Sequence, residues 1–477
     1  MNKIVLFVAV YFLSFYALGQ SPKENSRRSS INLKYGAHRL GKREDLDMKR
    51  WRAYGFGQFI HWGLYAIPGG EWKGKEYNGA AEWIRSWEGM PKSDYDSLYL
   101  KFNPVNFSPD SWAKMARKMG ARYITFTTKH HDGFCLWPSK FSDYTISKTP
   151  YQKDIVKAVV DAYTREGIDV ILYFSVMDWH HPGWRYELKT TEDSVAFEGF
   201  KQFTRNQLLE LLQNYPKIKG FWFDGTWDKS WVRQARFADE LEKEMRKVHP
   251  GLIIGSRFRA DENGARHFDS NGDLMGDYEQ GWERVLPNKI EDVHGNDWDA
   301  IMTVPENQWG YNKFWKGHLK TAFELIEMTA KSVSLGGNFV LNFGPQADGT
   351  IRVEEQKLAG EIGEWMEQNK EAIYDCEYAG LEKQDWGYFT KKRGSEKIYM
   401  IVCNVPLSRN LRIKLPEGKG FKNVRLISRP GQLLNSEKLN AKEYFIQLPQ
   451  MEVKSPIVVE MELISKQNEG SFEKAKI

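Results

Sequence analysis

The chain has 477 residues, 14% of them aromatic with 18 Trp, and a formal net charge of +5 from 68 Lys and Arg against 63 Asp and Glu. That length suits one large catalytic domain with a smaller appendage, and it excludes a single small module. The charges are interspersed, without the basic stripe that a phosphate backbone requires, so no nucleic-acid partner is expected; the Trp excess favours a sugar, whose axial C–H groups pack on indole faces.

Residues 1–19 place Lys3 before the apolar run IVLFVAVYFLSFYALG, which ends in small residues ahead of Gln20. This is the pattern of a secretory signal peptide. Export to the periplasm or the extracellular space is therefore expected, with no membrane span after cleavage, since the run is shorter than the ~20 residues a span needs. The polar stretch that follows makes 20–34 a flexible lead-in.

From 35 to 375, β-rich runs alternate with amphipathic helical stretches, which predicts βα units around a parallel sheet. The strands are GQFIHWG, ARYITFTTKH, DVILYFSVMD, GFWFDG, LIIGSRF and NFVLNFGP. Between them, PDSWAKMARKMG and KDIVKAVVDAYTREG carry apolar residues at helical spacing and stop at Gly120 and Gly167. A (β/α)8-like barrel is the expected fold; a doubly wound sheet would carry a Gly-rich loop after its first strand, and none is present. After residue 376 the pattern becomes short strands separated by Gly, Pro and Asn, which predicts an antiparallel β-sandwich over 376–465, followed by a frayed tail, 466–477. Cys135, Cys376 and Cys403 have no zinc or redox spacing; one bridge is possible and none is required.

A barrel carries its site at the carboxyl ends of the strands, so the polar residues closing each run should converge: His61, Lys129, His130, His131, Asp132, Ser175, Asp178, Asp224 and Arg257. Asp224 ends an apolar strand with Trp222 two residues earlier on the same face, and a carboxylate there suits attack on an anomeric carbon; a loop-turn or N-cap Asp is the plainer alternative. His61, His130 and His131 could hold zinc, or could hydrogen-bond sugar hydroxyls as neutral imidazoles. No carboxylate spacing supports a metal, and no cofactor is expected. The segment GDLMGDYEQGWERVLP offers Asp277, Glu279 and Glu283 as a second carboxyl group, of which Glu279 is the preferred acid/base and Glu283 the alternative. Glu82 and Trp83, in AAEWIR, are further pocket candidates, although an exposed helix would display a Glu equally well.

At these residues the chain resembles the α-L-fucosidases of glycoside hydrolase family 29. The likeness rests on FGQFIHWGLYAIPGGEW, the KHHDGF segment, FWFDG, MTVPENQWGYN and SVSLGGNFVLNFGPQADG, in order across about residues 50–375. The resemblance implies a retaining exo-α-L-fucosidase acting on fucosylated glycans or oligosaccharides. It makes Asp224 the nucleophile and His61, Glu82, Trp83, His130, His131, Trp222, Arg257 and Trp309 the substrate-binding residues, with Trp309 near the sugar's methyl side. A related exo-glycosidase such as an α-L-galactosidase, and a non-catalytic fucose-binding homologue, are the alternatives. Two departures stand out: Trp298-Asp299 where the family often has Trp-Glu, expected to reposition a subsite residue, and Phe174 where many members have a tyrosine, expected to remove a hydroxyl from the site.

Overall fold

The computed structural model describes residues 31–306, 308–314 and 317–465. The expected signal peptide, most of the lead-in and the tail lie outside these residues. Eight parallel strands form one sheet: β1 Phe56–Ile60, β2 Tyr123–Lys129, β3 Asp169–Ser175, β4 Gly220–Asp224, β5 Ile253–Ile254, β6 Glu279–Glu283, β7 Trp298–Thr303 and β8 Asn338–Phe343. Their order runs β5-β4-β3-β2-β1-β8-β7-β6. The open edges meet where the Asp277 N–H donates to the Ile254 carbonyl (2.8 Å) and the Ser256 N–H to the Tyr278 carbonyl (3.0 Å), closing the ring through an irregular joint.

The six strands expected from sequence all form. β6 and β7 were not anticipated, because EQGWE lacks an apolar alternation and WDAIMT carries Asp299. That carboxyl is buried, and burial pushes its pKa well above the ordinary range, which favours the neutral form in the strand.

Helices connect the strands. α1 (Pro109–Met119) starts at Ser108, whose Oγ accepts from the Ser111 N–H, has Pro at its first turn, and ends at Gly120. Gly120 has φ 96°, a left-handed C-cap, and a Cβ there would meet the Tyr374 hydroxyl at 2.9 Å. α2 (Ile155–Arg165) is capped by Asp154. One face of each strand packs outward on helices, as Phe221 and Phe223 do; the other turns inward, where Phe59, Tyr123, Ile171, Tyr173, Trp222, Tyr278, Ile301 and Val340 fill the barrel.

Residues 31–34, expected within the flexible lead-in, are held by the 262–271 loop: Ile31 N–H donates to Asn271 Oδ1 (2.8 Å) and Lys34 N–H to Glu262 Oε1 (2.6 Å).

Beyond the barrel, β9 Cys376–Tyr378, β10 Gly387–Lys392, β11 Lys397–Val402, β12 Asn410–Lys414, β13 Lys419–Leu426, β14 Ser436–Lys438, β15 Glu443–Gln447 and β16 Ile457–Ser465 form two antiparallel sheets, β9-β10-β11-β16-β13 and β12-β15-β14. Their shared core includes Ile398, Met400, Leu411, Ile413, Ile446 and Val459. The three cysteines are free and buried.

Candidate active site

A cleft of about 530 Å³ opens where the barrel strands end. A groove of about 580 Å³ sits at the opposite face, beside Gly120–Arg122 and Gly167–Ile168, which precede β2 and β3. Lys and Glu side chains mix along that groove, and barrel chemistry belongs to the other face.

Asp224 closes β4, where alternation sends Phe221 and Phe223 outward and turns Trp222 and Asp224 toward the axis. The chain must then turn at once: Gly225 has φ 66°, and a Cβ there would stand 2.5 Å from the Met177 Cβ. The Asp224 carboxylate accepts from the Tyr173 hydroxyl at Oδ2 (2.8 Å) and from Arg257 Nη1 at Oδ1 (3.0 Å). Burial, with the Asp224 charge beside it, holds the Tyr173 pKa far above its usual value, so the phenol stays a donor.

The histidines are neutral. Burial lowers the His61 and His131 pKa values to about 3 and that of His130 well below the usual range. Their tautomers follow from their partners. Ser175 gives its one hydroxyl hydrogen to the Met177 carbonyl (2.7 Å), so at the 2.7 Å contact with Ser175 Oγ the His131 Nδ1 must donate. Asn342 must turn its NH2 to the Trp309 carbonyl (2.8 Å), so its Oδ1 accepts from His61 Nδ1 (2.8 Å). Both imidazoles therefore carry a bare Nε2 acceptor suited to a sugar hydroxyl. The His131 Nε2 stands 3.6 Å from Asp224 Oδ2, and ligand atoms of His130, His131 and Asp224 lie within 4.8 Å of one another. His61, grouped with the other two histidines in the sequence reading of a metal, does not belong to that cluster. The Arg257 guanidinium already supplies the positive charge at Asp224.

Glu82 is buried under the cleft: its Oε2 accepts from the Gly310 N–H (3.0 Å), its Oε1 has no partner, and burial lifts its pKa to about 7. Trp83 packs edge-on to His131 (5.0 Å), Trp222 lies 4.8 Å beneath the Arg257 guanidinium, and Trp309 stands 5.2 Å from the His61 ring. All of these residues line the cleft.

The two acid/base candidates part company. Glu283 lines the cleft and pairs with Arg257 Nη2, while Arg257 Nη1 holds Asp224 and Nε donates to the Gln280 carbonyl (2.8 Å). Glu279, the residue preferred from sequence, is not among the cleft-lining residues; it is buried beside Trp282, its Oε2 without a partner, and burial raises its pKa to about 7. The register between β6 and β7 breaks between Glu279 and Trp282, so the simple alternation that would give Glu279 and Glu283 one face fails.

Not every strand-end residue converges. Lys129 Nζ is buried between Asp178 Oδ2 and Gln207 Oε1 (3.0 Å each), and Asp132 accepts from the Tyr95 hydroxyl (2.7 Å); none of the three charged residues lines the cleft. Neither departure from the family pattern lies in the cleft lining, although Asp299 is near enough to Arg257 and Glu283 to feel their charges. Phe174 points away from the site, 4.4 Å from Lys129 Nζ, and the hydroxyl at the site belongs to its neighbour Tyr173. Asp299 is not a cleft residue either. Sequence reading passed over Tyr173, Asn342, Tyr77, Trp227, Arg266, His267 and Arg284. Tyr173 was within reach, being two residues from Ser175 on one strand face; the others come from loops or from a second layer.

Among known proteins, the family model for α-L-fucosidase matches residues 26–371. The chain belongs to the α-L-fucosidase family. It is similar to the glycoside hydrolase family 29 α-L-fucosidase from Bacteroides thetaiotaomicron, 48% identical with a TM-score of 0.89, covering 91% of this chain and 100% of that one. That enzyme is described as a covalent intermediate trapped with 2-fluoro-fucosyl fluoride using a glutamate-to-glutamine variant. The plasma α-L-fucosidase of Homo sapiens is 29% identical over 86% of this chain and 88% of its own length. Within the family fold, the fucosidase cleft of this chain sits at the carboxyl ends of the barrel strands.

Proposed function

We propose that the chain is a retaining exo-α-L-fucosidase acting on fucosylated glycans, with Asp224 as nucleophile and Glu283 as acid/base. The observation that carries this assignment is Arg257, whose two terminal nitrogens hold Asp224 and Glu283 side by side in one cleft. A retaining mechanism needs its two carboxyl groups close together, about 5–5.5 Å apart, and a shared guanidinium supports such a close pair. Asp224 attacks the anomeric carbon as Glu283 gives its proton to the departing glycosidic oxygen, leaving a fucosyl ester on Asp224. Glu283 then takes a proton from water, which attacks the same carbon, releasing fucose and restoring both carboxyl groups. Neutral His61 and His131 accept from sugar hydroxyls, and Trp222 and Trp309 offer apolar faces to the ring and its methyl group.

The test is mass mapping of protein treated with 2-fluoro-fucosyl fluoride. The label is expected on the peptide carrying Asp224 and to persist longest in Glu283→Gln; a label elsewhere, or persistence in Glu279→Gln instead, would overturn the pair.

Residues 1–19 support export, and no helix among the described residues is long and apolar enough to cross a membrane. The proposed division places the catalytic barrel at 35–375 and the sandwich at 376–465.

A further inference from the structure

The cleft contains more positive charge than its catalytic carboxylates use. Arg257 is committed to Asp224 and Glu283. Arg266 is not: its guanidinium makes one bond, Nη2 to Thr226 Oγ1 at 3.2 Å, and its buried Nε has no partner. Among the described residues no carboxylate lies within ion-pairing distance of it. The charged and titratable groups facing Arg266 are Arg257, Asp224, His267 and Asp228. His267 is neutral, its pKa lowered to about 3 by burial and then by Arg257 and Arg266. Asp228 Oδ2 accepts from Trp184 Nε1 (3.1 Å), and burial lifts its pKa to about 7 against the pull of Arg266, so it is a partial counter-charge that makes no ion pair with the guanidinium. Burial and the neighbouring Arg257 also depress the Arg266 pKa to about 10, the response of a cation short of a counter-charge. A partly buried guanidinium with one weak neutral bond and a buried, unpartnered Nε has donors left over for an anion in the working complex.

A second unpaired cation stands at the same cleft. Arg284 follows Glu283 directly, its backbone in the left-handed region at φ 57°, where a side chain is strained. The side chain is exposed at the rim, its guanidinium 5.8 Å from the Trp309 ring, and among the described residues no carboxylate pairs with it, although it is near enough for its charge to act on Glu82.

We propose that Arg266, aided by Arg284, forms an anion-binding subsite for the leaving group, receiving a carboxylate or sulfate ester on the saccharide from which fucose is cleaved. The preferred substrates are then fucosides of acidic saccharides. The inference rests on the fucosidase reading and extends it to the substrate class. A guanidinium fork matches both anions geometrically, and charge-assisted bonds to it strengthen as water is excluded.

The experiment compares kcat/KM for four fucosyl disaccharides: one ending in galactose, its 6-sulfate, the galacturonate analogue, and the methyl ester of that galacturonate. At low ionic strength an acidic member is expected to exceed its neutral counterpart by about 10-fold, the worth of a hydrogen bond to a charged group. The sulfate and galacturonate arms tell which anion the subsite takes. The preference should shrink between about 20 mM and 0.5 M salt as screening grows. In Arg266→Met the acidic-to-neutral ratio should fall to within about twofold of one, and Arg266→Lys should retain part of it, keeping charge without the fork. A ratio near one in the unaltered protein, or a ratio unmoved in both Arg266→Met and Arg284→Met, would overturn the proposal. The ratio is an internal control, since a variant that merely weakens the fold or the Asp224 surroundings lowers both substrates together. If the unaltered protein releases no fucose from any of the four, or from an aryl α-L-fucoside, the fucosidase reading itself falls.

Discussion

At the floor of the cleft the polar groups are partnered: Asp224 takes bonds from Tyr173 and Arg257, Glu283 takes the other nitrogen of Arg257, and the imidazoles of His61 and His131 are fixed as neutral acceptors. Around the remainder of the cleft, Arg266 and Arg284 form no ion pair among the described residues. The first arrangement is complete before substrate arrives, which preorganises the reacting carboxylates without later reorganisation. The second is incomplete, so any binding energy it contributes depends on what the leaving group carries.

The largest effect that could break this contrast belongs to Asp224. Asp224→Gly is expected to lower kcat at least about 10³-fold, the order of loss when a covalent nucleophile is removed. Azide should restore turnover and yield the β-fucosyl azide, because it attacks from the vacated side; full activity without azide would end the assignment. Next comes the acid/base. Glu283→Gln should slow cleavage of unactivated glycosides by about 10²–10⁴-fold while sparing activated aryl fucosides, and azide should give the α-configured product. Glu279→Gln should leave that leaving-group dependence unchanged, and the opposite pattern would return the role to Glu279.

Smaller effects sharpen the floor's internal order. Tyr173→Phe removes a charge-assisted bond worth about 1.5–3 kcal/mol, so kcat/KM should fall about 10–100-fold. Phe174→Tyr should leave kcat unchanged and lower unfolding free energy by about 1–3 kcal/mol, since the added hydroxyl overpacks a fully buried ring seated against Lys129. Steady-state kinetics with denaturant unfolding checks both.

The last effect is spread over pH. The folded pKa of His61 is about 3, below its ordinary 6.5, so the unfolded chain binds more protons between these values. Its contribution to stability is therefore present above pH 6.5 and is lost as pH falls toward 3, by about 1.4 kcal/mol per pH unit. Urea unfolding of His61→Gln across pH 4–7 should show a shallower acid slope than the unaltered protein; equal slopes would mean that His61 is charged in the fold.

The barrel and the meeting of its strand-end residues in one cleft were legible without coordinates. Apolar period-two runs ending in polar residues are a local pattern, and βα topology delivers every such strand end to one face, so Asp224, His61, His130, His131 and Arg257 converge as expected. Lys129, Asp132 and Asp178 carry the same strand-end signature, yet Lys129 pairs with Asp178 and Asp132 with Tyr95 away from the cleft, because the direction of a residue at the strand-to-loop junction depends on the turn the chain enters. The choice between Glu279 and Glu283 was equally out of reach. A register break on β6 exchanges faces, and a break of that kind comes from how neighbouring strands pair, which no single strand's pattern records. Tautomers, the hydroxyl on Asp224 and the isolation of Arg266 belong to the tertiary structure for the same reason: each is set by which groups from distant segments are within reach and which are not.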